Sequence, residues 1–258
     1  NKINLIEDIY GNTTLFSNMS DWNPAEMIGS QPKPLSFSLY TKLITNNSWA
    51  VARKKMGYRD LTNKKLLVSL SGKPYVDIRR CFNSFLTNDL EESLSKELVN
   101  KEINYLKNNP TEYDKVEFNV AVNCYYLNYQ KLYNHLIQNL TINKKNTKKI
   151  IENYLIWTKN LVSNSESLFH DIEISYKKLN QKIKKIKYSN KNTVVELSTK
   201  LNQIIEVCIN YGVIPFSIHA RCAFISISFL NSFYNQKIFS KKEYNEFLKN
   251  IPTISSEF

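Results

Sequence analysis

Two stretches concentrate the side chains that could do chemistry. In Asp21-Trp22-Asn23-Pro24-Ala25-Glu26-Met27-Ile28-Gly29, the side chains of Asp21, Asn23 and Glu26 put two carboxylates and an amide at one mouth. The same residues also write a plain helix start. Asn23 can cap, Pro24 then sits where its missing N–H costs nothing, and Glu26 falls three residues after the cap, as in a capping box. Trp22 and Met27 are spaced as a hydrophobic staple, and Gly29 can close the helix in a left-handed conformation. The second stretch covers residues 59–84, where Arg59, Asp60, Asp77, Arg79, Arg80, Asn83 and Ser84 punctuate apolar strands. Read as a strand, Tyr75-Val76-Asp77-Ile78-Arg79 projects Asp77 and Arg79 from one face. Such a pair is either a salt bridge or a holder for a zwitterion, with Arg taking a carboxylate bidentately and Asp an ammonium. Spacing does not choose between these readings.

Little else in the chain suggests catalysis. Five glycines leave no phosphate loop and no dinucleotide fingerprint. No nucleophile–base pair stands out, so no residue is assigned a catalytic role. His135 and His170 sit on ordinary helical patterns. His219 and Arg221 lie at the start of a very apolar helix, where a buried Arg221 needs a partner, and structural pairing is the reading preferred for it over ligand contact. Cys81, Cys124, Cys208 and Cys222 show no C-x-x-C spacing, and with three scattered histidines they make no zinc pattern. Unpaired cysteines in apolar settings suggest buried thiols in a reducing compartment, hence a cytoplasmic location.

The 258 residues suffice for a sizeable core, and 42% hydrophobic residues fit a soluble globular protein. The net charge of +12 invites a nucleic-acid interface, with the steep salt dependence that goes with it. However, only Arg53, Arg59, Arg79, Arg80 and Arg221 are arginines, the residue favoured for bidentate phosphate and base contacts. The lysines, interleaved with Asn and Ile, read as solvated helix faces, so no nucleic-acid partner is expected. No uncharged apolar run reaches about 18 residues, so no membrane span is expected. The nearest stretch, residues 213–234, is interrupted by His219 and Arg221. The chain starts at Asn1 with neither an initiator Met nor a signal-like segment, and reads as a piece of something longer.

The elements that must position the two stretches follow from periodicity and breakers. Residues 13–16 suit a short strand. Gln31-Pro32-Lys33-Pro34 is a stiff turn, and residues 35–53 form two helices parted at Thr45-Asn46-Asn47-Ser48, with Ser48 one possible cap and Gly57 the stop. Residues 66–70 and 75–79 are two strands around the turn Ser71-Gly72-Lys73-Pro74. Asp89 and Glu92 cap a helix over residues 90–106, halted by Asn109-Pro110. Residues 116–127 alternate and read as the longest strand, paired with the earlier two. From residue 130 onward the chain is helical, with a break at Asn164-Ser165, capping boxes at Thr193/Glu196 and Ser240/Glu243, a stop at Tyr211-Gly212 and a new start at Pro215. The expected class is α+β, a mainly helical body with a small antiparallel sheet. It is read as a single domain spanning 1–258, with the sheet in about 1–128 and helices in about 129–258.

Several motifs, in order along nearly the whole chain, resemble the middle region of phosphoenolpyruvate-synthase-like phosphotransferases. They are the stretch from Asp21 to Gly29; Pro32-Lys33-Pro34-Leu35 with Ser38-Leu39-Tyr40; Gly57-Tyr58-Arg59-Asp60-Leu61; Pro74-Tyr75-Val76-Asp77-Ile78-Arg79; Phe82-Asn83-Ser84-Phe85; and Tyr211-Gly212-Val213-Ile214-Pro215-Phe216 with Ala220-Arg221-Cys222-Ala223-Phe224. Within that group the chain is most similar to the L-glutamine kinases of bacterial capsule phosphoramidate synthesis. The resemblance implies a three-part enzyme. An ATP-grasp-type domain would bind ATP and Mg2+, a mobile domain would carry a phosphohistidine, and this domain would bind the acceptor but neither ATP nor metal. For the glutamine kinases the acceptor atom is the amide nitrogen of L-glutamine, and the products are AMP, phosphate and N-phosphoglutamine. None of the three histidines lies in the motif of the mobile one, so the domain alone is expected to be inactive.

The residues then suggest roles by their chemistry. Arg79 would hold the α-carboxylate, Asp77 or Glu26 the α-ammonium, and Asn23, Asn83 or Ser84 the side-chain amide. Asp21 would face a cationic group, and Arg59 completes the candidate set. The alternatives are a sugar, alcohol or antibiotic acceptor on the same architecture, a basic interaction module without enzymatic role, or a structural spacer.

Overall fold

The computed structural model describes residues 9–186 and 193–251. The polar opening stretch 1–8, and residues 187–192 and 252–258 within the region expected to be helical, lie outside these. The protein is 67% helical with a three-stranded antiparallel sheet, so it is α+β with a mainly helical body.

The sheet runs in the order β1-β3-β2, with β1 at Phe16–Ser17, β2 at Leu67–Leu70 and β3 at Lys73–Asp77. Phe16 pairs with Asp77 and Leu67 with Val76, so β3 is hydrogen-bonded on both edges. The strand expected over residues 116–127 does not form. Val116–Val120 instead forms one π-helical turn, and residues 121–128 follow an irregular path. Side chains satisfy that backbone in place of a ladder. Glu102 accepts from the Val122 N–H at 2.8 Å, Thr158 Oγ1 accepts from the Tyr125 N–H at 2.9 Å, and the Tyr58 hydroxyl donates to the Asn123 carbonyl at 2.6 Å.

A second departure falls at the end of β3. The strand stops at Asp77, whose carboxylate accepts from the backbone N–H groups of Arg79 and Arg80 and starts α4, Ile78–Asn83. Asp77 and Arg79 therefore never share a strand face; capping removes Asp77 from ligand work.

The helices otherwise follow the spacing of apolar residues. α1 is Pro24–Ile28, α2 Pro34–Tyr40 and α3 Ser48–Lys55, the last with Asn47 rather than Ser48 at the N-cap position and no side-chain capping bond. α5, Glu92–Asn108, starts after Glu91 rather than Asp89 and buries Leu94, Leu98, Val99, Ile103 and Leu106 at helical spacing. α6 is Tyr129–Asn134, α7 Lys144–Ser163 and α8 Ser165–Lys185, parted at Asn164 as expected. Both capping boxes form, opening α9 (Val194–Cys208) and α11 (Lys241–Lys249). Tyr211-Gly212 does not end α9. A π-helical turn at Ile209–Val213 carries it into α10, Ile214–Asn235. The joined helix Val194–Asn235 has 42 residues and a best 18-residue mean hydropathy of 1.6, with 39% of that stretch buried. By length and composition it is long and apolar enough to cross a membrane, although the sequence lacks a fully uncharged run.

Two cores hold these elements. In the first, Trp49, Ile78, Phe82, Phe85 and Leu98 meet Ile150 and Tyr154 of α7. In the second, Ala52, Met56 and Tyr58 meet Trp157, Ile172, Ile214, Ile218 and Ile225. Both cores combine residues from before and after residue 128. Trp157 is central: its indole lies 4.3 Å from the Tyr58 ring centroid, and its N–H donates to the Met56 carbonyl at 3.0 Å. Gly57 at φ 86 permits that approach, because a Cβ there would stand 3.1 Å from the indole nitrogen.

Candidate functional site

The first sequence stretch lines a cavity of about 480 Å³. One wall is the corner Met19 to Met27, and the opposite wall is Phe216, Ser217, Ala220, Arg221 and Phe224 of α10. Arg53, Asp114, Val116, Glu117 and Phe118 complete it. A second cavity of about 630 Å³ shares Glu117, Phe118, Arg221 and Phe224, so these four form the partition between the two. Phe118 and Phe224 meet edge to face at 5.1 Å, and Arg221 pairs with Glu117.

The corner is built under strain. Asn23 caps α1 through its Oδ1 to the Glu26 N–H at 3.3 Å, with Pro24 next as expected. However, Trp22 has φ 65 and Asn23 φ 30, a left-handed pair unusual for non-glycine residues and for a bulky Trp above all. The Tyr40 hydroxyl holds the corner by donating to the Trp22 carbonyl at 2.6 Å. Met27 stays 61% exposed, so no buried staple forms. Gly29 has φ 85 and ψ 160, a positive but extended conformation rather than the expected left-handed helical one.

Beneath the corner lies a buried charge network. Asp21 accepts from Arg53 Nη2 at 2.8 Å, with side chains only 5% and 8% exposed. Arg53 also donates to Ser84 Oγ and lies 3.9 Å from the Phe85 ring centroid. Arg221 lies 5.1 Å from the same centroid, so one ring carries two guanidinium groups. Besides Glu117, Arg221 donates from Nε to the Tyr58 hydroxyl at 3.4 Å, and its Nη2 has no protein partner among the described residues. Burial raises the Glu117 carboxyl above its ordinary value, with Arg221 pulling the other way. Burial likewise raises the Tyr58 hydroxyl and, with Asp21 beside it, the Cys81 thiol.

Around the 480 Å³ cavity, Asp21, Glu26, Asp114 and Glu117 face Arg53 and Arg221. Both arginines are already matched, by Asp21 and Glu117, which leaves Glu26 and Asp114 without ion pairs among the described residues. The cavity is thus acidic on a chain of net charge +12. It suits a molecule with a cationic group and an apolar body. It does not suit a nucleotide triphosphate, since it offers carboxylates and no lysine. No group of three His, Cys, Asp or Glu side chains is placed to hold a metal among the described residues.

The structure separates the eight candidate residues into two sets. Asp21, Asn23 and Glu26 line the cavity. Asp77, Arg79, Asn83, Ser84 and Arg59 do not. Asn83 clamps the N-terminal segment: its Oδ1 accepts from Tyr10 N and Arg59 Nη1, and its Nδ2 donates to the Tyr10 and Arg79 carbonyls. Its hydrogen-bonding capacity is spent, so it cannot orient a ligand amide. Arg59 stacks 3.6 Å from the Tyr10 ring centroid. Arg79 is buried away from the cavity, with Nη1 3.4 Å from the Gly11 carbonyl and Nε without a hydrogen-bond partner among the described residues. Ser84 acts one step back, positioning Arg53 and donating to the Cys81 carbonyl at 2.6 Å.

Sequence reasoning overlooked Arg53, Asp114 and Glu117, and read Arg221 as structural. The signal for the two arginines was present. Arg53 follows the buried Trp49 by four residues, and Arg221 precedes the buried Ile225 by four, so each charge stands on an apolar helix face. Of the histidines, His135 lines the larger cavity with both ring nitrogens occupied, by the Val120 carbonyl and the Asn139 amide, and burial lowers its pKa. His170 and His219 are exposed. No family model, curated protein or solved structure matches the chain. What the fold and site define is a class: an α+β protein whose acidic, aromatic-lined cavity is suited to binding a small molecule.

Proposed function

We propose that this chain is the acceptor-binding domain of a multidomain phosphotransferase, and that its acceptor is L-glutamine. The observation that carries the reading is the convergence at one cavity of motifs some 200 residues apart in sequence, the corner Asp21 to Met27 and the helix face Phe216 to Phe224. A third motif lies directly beneath, where Ser84 and Phe85 hold Arg53 and Arg221. The chemistry agrees with an amino acid zwitterion. Arg221 has an uncommitted Nη2 for a carboxylate, and Glu26 and Asp114 offer unpaired carboxylates for an ammonium. These replace the roles first given to Arg79 and Asp77.

In this reading ATP and Mg2+ belong to a companion domain, and a phosphohistidine on another brings the phosphoryl group to the cavity mouth. The chain's own part is to bind and orient the acceptor. Calorimetric titration of the full-length protein with millimolar L-glutamine tests it. Saturable heat is expected, and its absence refutes the acceptor assignment. Phosphorus NMR of the full-length reaction decides the acceptor class, because a P–N product supports glutamine and a P–O product replaces it with an alcohol or sugar.

A further inference from the structure

The larger cavity, of about 630 Å³, has a different chemistry from its neighbour. Its formal charges cancel: Glu112 and Glu117 stand against Lys131 and Arg221, and Glu117 is already paired with Arg221. In place of net charge the wall carries amides, and the fold fixes each of them by one end. Asn119 Nδ2 donates to Glu112 at 2.7 Å, and Asn123 Nδ2 donates to the Glu117 carbonyl at 2.5 Å. Asn128 Oδ1 accepts from the Lys131 N–H at 3.1 Å, and Asn134 Oδ1 accepts from Gln130 Nε2 at 2.7 Å. The other end of each amide has no protein partner among the described residues, which leaves two carbonyl oxygens, at Asn119 and Asn123, and two NH₂ groups, at Asn128 and Asn134. None of these ends is sealed in the protein. Asn119 is exposed, and the free ends of the other three, on half-buried residues, keep accessible surface. Tyr126 and Phe118 add aromatic rings to the same wall.

We propose that this cavity is a second binding site, for an uncharged polyhydroxylated molecule of the sugar class, occupied alongside the acceptor site rather than in place of it. A hydroxyl both donates and accepts, so the hydroxyls of one ring can meet fixed carbonyl oxygens and fixed NH₂ groups in turn. A carboxylate or phosphate would satisfy the two NH₂ groups but would face two carbonyl oxygens and Glu112; an ammonium would meet the converse mismatch. An amide anchored at one end also has little rotamer freedom left to lose on binding. The C–H face of a sugar ring can pack on the Phe118 and Tyr126 rings, and the volume falls in the range of small-molecule sites. The Glu117–Arg221 pair and the edge-to-face Phe118 and Phe224 rings stand between this cavity and the 480 Å³ one, so the two sites are separate. The inference rests on this wall alone and does not need the acceptor to be an amino acid.

The test is a saturation-transfer NMR titration of the full-length protein with D-glucose, D-galactose, N-acetyl-D-glucosamine and myo-inositol, with D-glucuronate as the charged match of D-glucose. At least one neutral polyol is expected to saturate, and D-glucuronate to bind more weakly than D-glucose. Asn128→Asp and Asn134→Asp each keep the acceptor for Lys131 or Gln130 and lose only the free NH₂ donor. Each is expected to raise the Kd of the bound polyol about three- to tenfold while the Tm holds. Absence of saturation by every neutral polyol up to about 50 mM overturns the inference. So does a polyol Kd that both variants leave unchanged, or that rises instead with Glu26→Gln in the other cavity. A polyol recovered as its phosphate from the full-length reaction is itself the acceptor, which overturns the second site.

Discussion

Replacing Asp21 with Asn should be among the most destabilising single changes that preserve volume. The carboxylate stands 2.8 Å from Arg53 Nη2, and both side chains are less than a tenth exposed. At that distance the gross attraction is about 6 kcal/mol for an effective dielectric constant of about 20. Much of it only offsets the desolvation of the two ions. Removing one partner of a buried pair costs about 3–5 kcal/mol, since the survivor stays buried and unbalanced. Arg53 would keep Ser84 and the face of Phe85, which argues for the lower end, about 3 kcal/mol. For a chain of this length that corresponds to a fall in Tm of about 6–12 °C. The assay is thermal and urea unfolding of Asp21→Asn, Arg53→Met and the double variant. The double variant should recover part of the loss, with a coupling energy of about 2 kcal/mol. A cost below about 1 kcal/mol for Asp21→Asn would mark a solvated pair and refute the picture of a dry charge layer beneath the corner.

Two further predictions follow from groups outside the cavity. Glu102 is fully buried with its carboxyl raised well above the ordinary value by burial, only partly offset by the Val122 N–H. The folded state therefore holds a proton that the unfolded state releases near pH 4.3, so the carboxyl's contribution to stability falls as pH rises from there through the folded pKa. Glu102→Gln keeps the acceptor for Val122, and its Tm relative to wild type should improve between pH 4 and pH 8; an equal difference at both values would contradict the assignment. Arg79→Ala should lower stability by about 1–3 kcal/mol yet leave the KM for L-glutamine in the full-length enzyme within about twofold, because the side chain lies against Gly11 and not the cavity. A tenfold rise in KM with unchanged Tm would restore Arg79 to the site.

What the sequence made legible was mostly local. Capping boxes at Thr193 and Ser240, the Asn23-Pro24 helix start and the break at Asn164 depend on neighbouring residues, and all appear. The failures share a different cause. Residues 116–127 alternate like a strand, but side chains of Glu102, Thr158 and Tyr58 satisfy backbone groups of Val122, Tyr125 and Asn123 there, and no ladder forms. Tyr211-Gly212 looks like a helix stop, but one extra residue per turn at Ile209–Val213 keeps the backbone bonded. Asp77 ends β3 as a strand residue, but Arg79 lies in α4 and not on the strand, because the Asp77 carboxylate caps the backbone N–H groups of Arg79 and Arg80.

The same distinction governs the site. A polar residue beside an apolar run has two fates, to face a ligand or to satisfy a buried backbone, and one-dimensional spacing treats them alike. Asp77 took the second fate at the start of α4 itself, and Asn83 and Arg79 took it because the segment around Tyr10 and Gly11 brings its own backbone groups to them. Asp21 and Glu26 line the cavity, where α10 stands opposite them with aromatic rings and a guanidinium rather than with backbone. Arg53 and Arg221 separate the cases most clearly. Each occupies an apolar helix face, where a charge is costly to bury without a partner. Both are brought to one Phe85 ring, each already matched by a carboxylate. A ligand carboxylate arriving there meets charges whose desolvation the fold has already met, and that preorganisation makes the cavity, rather than the Asp77–Arg79 strand, the place to look for acceptor binding.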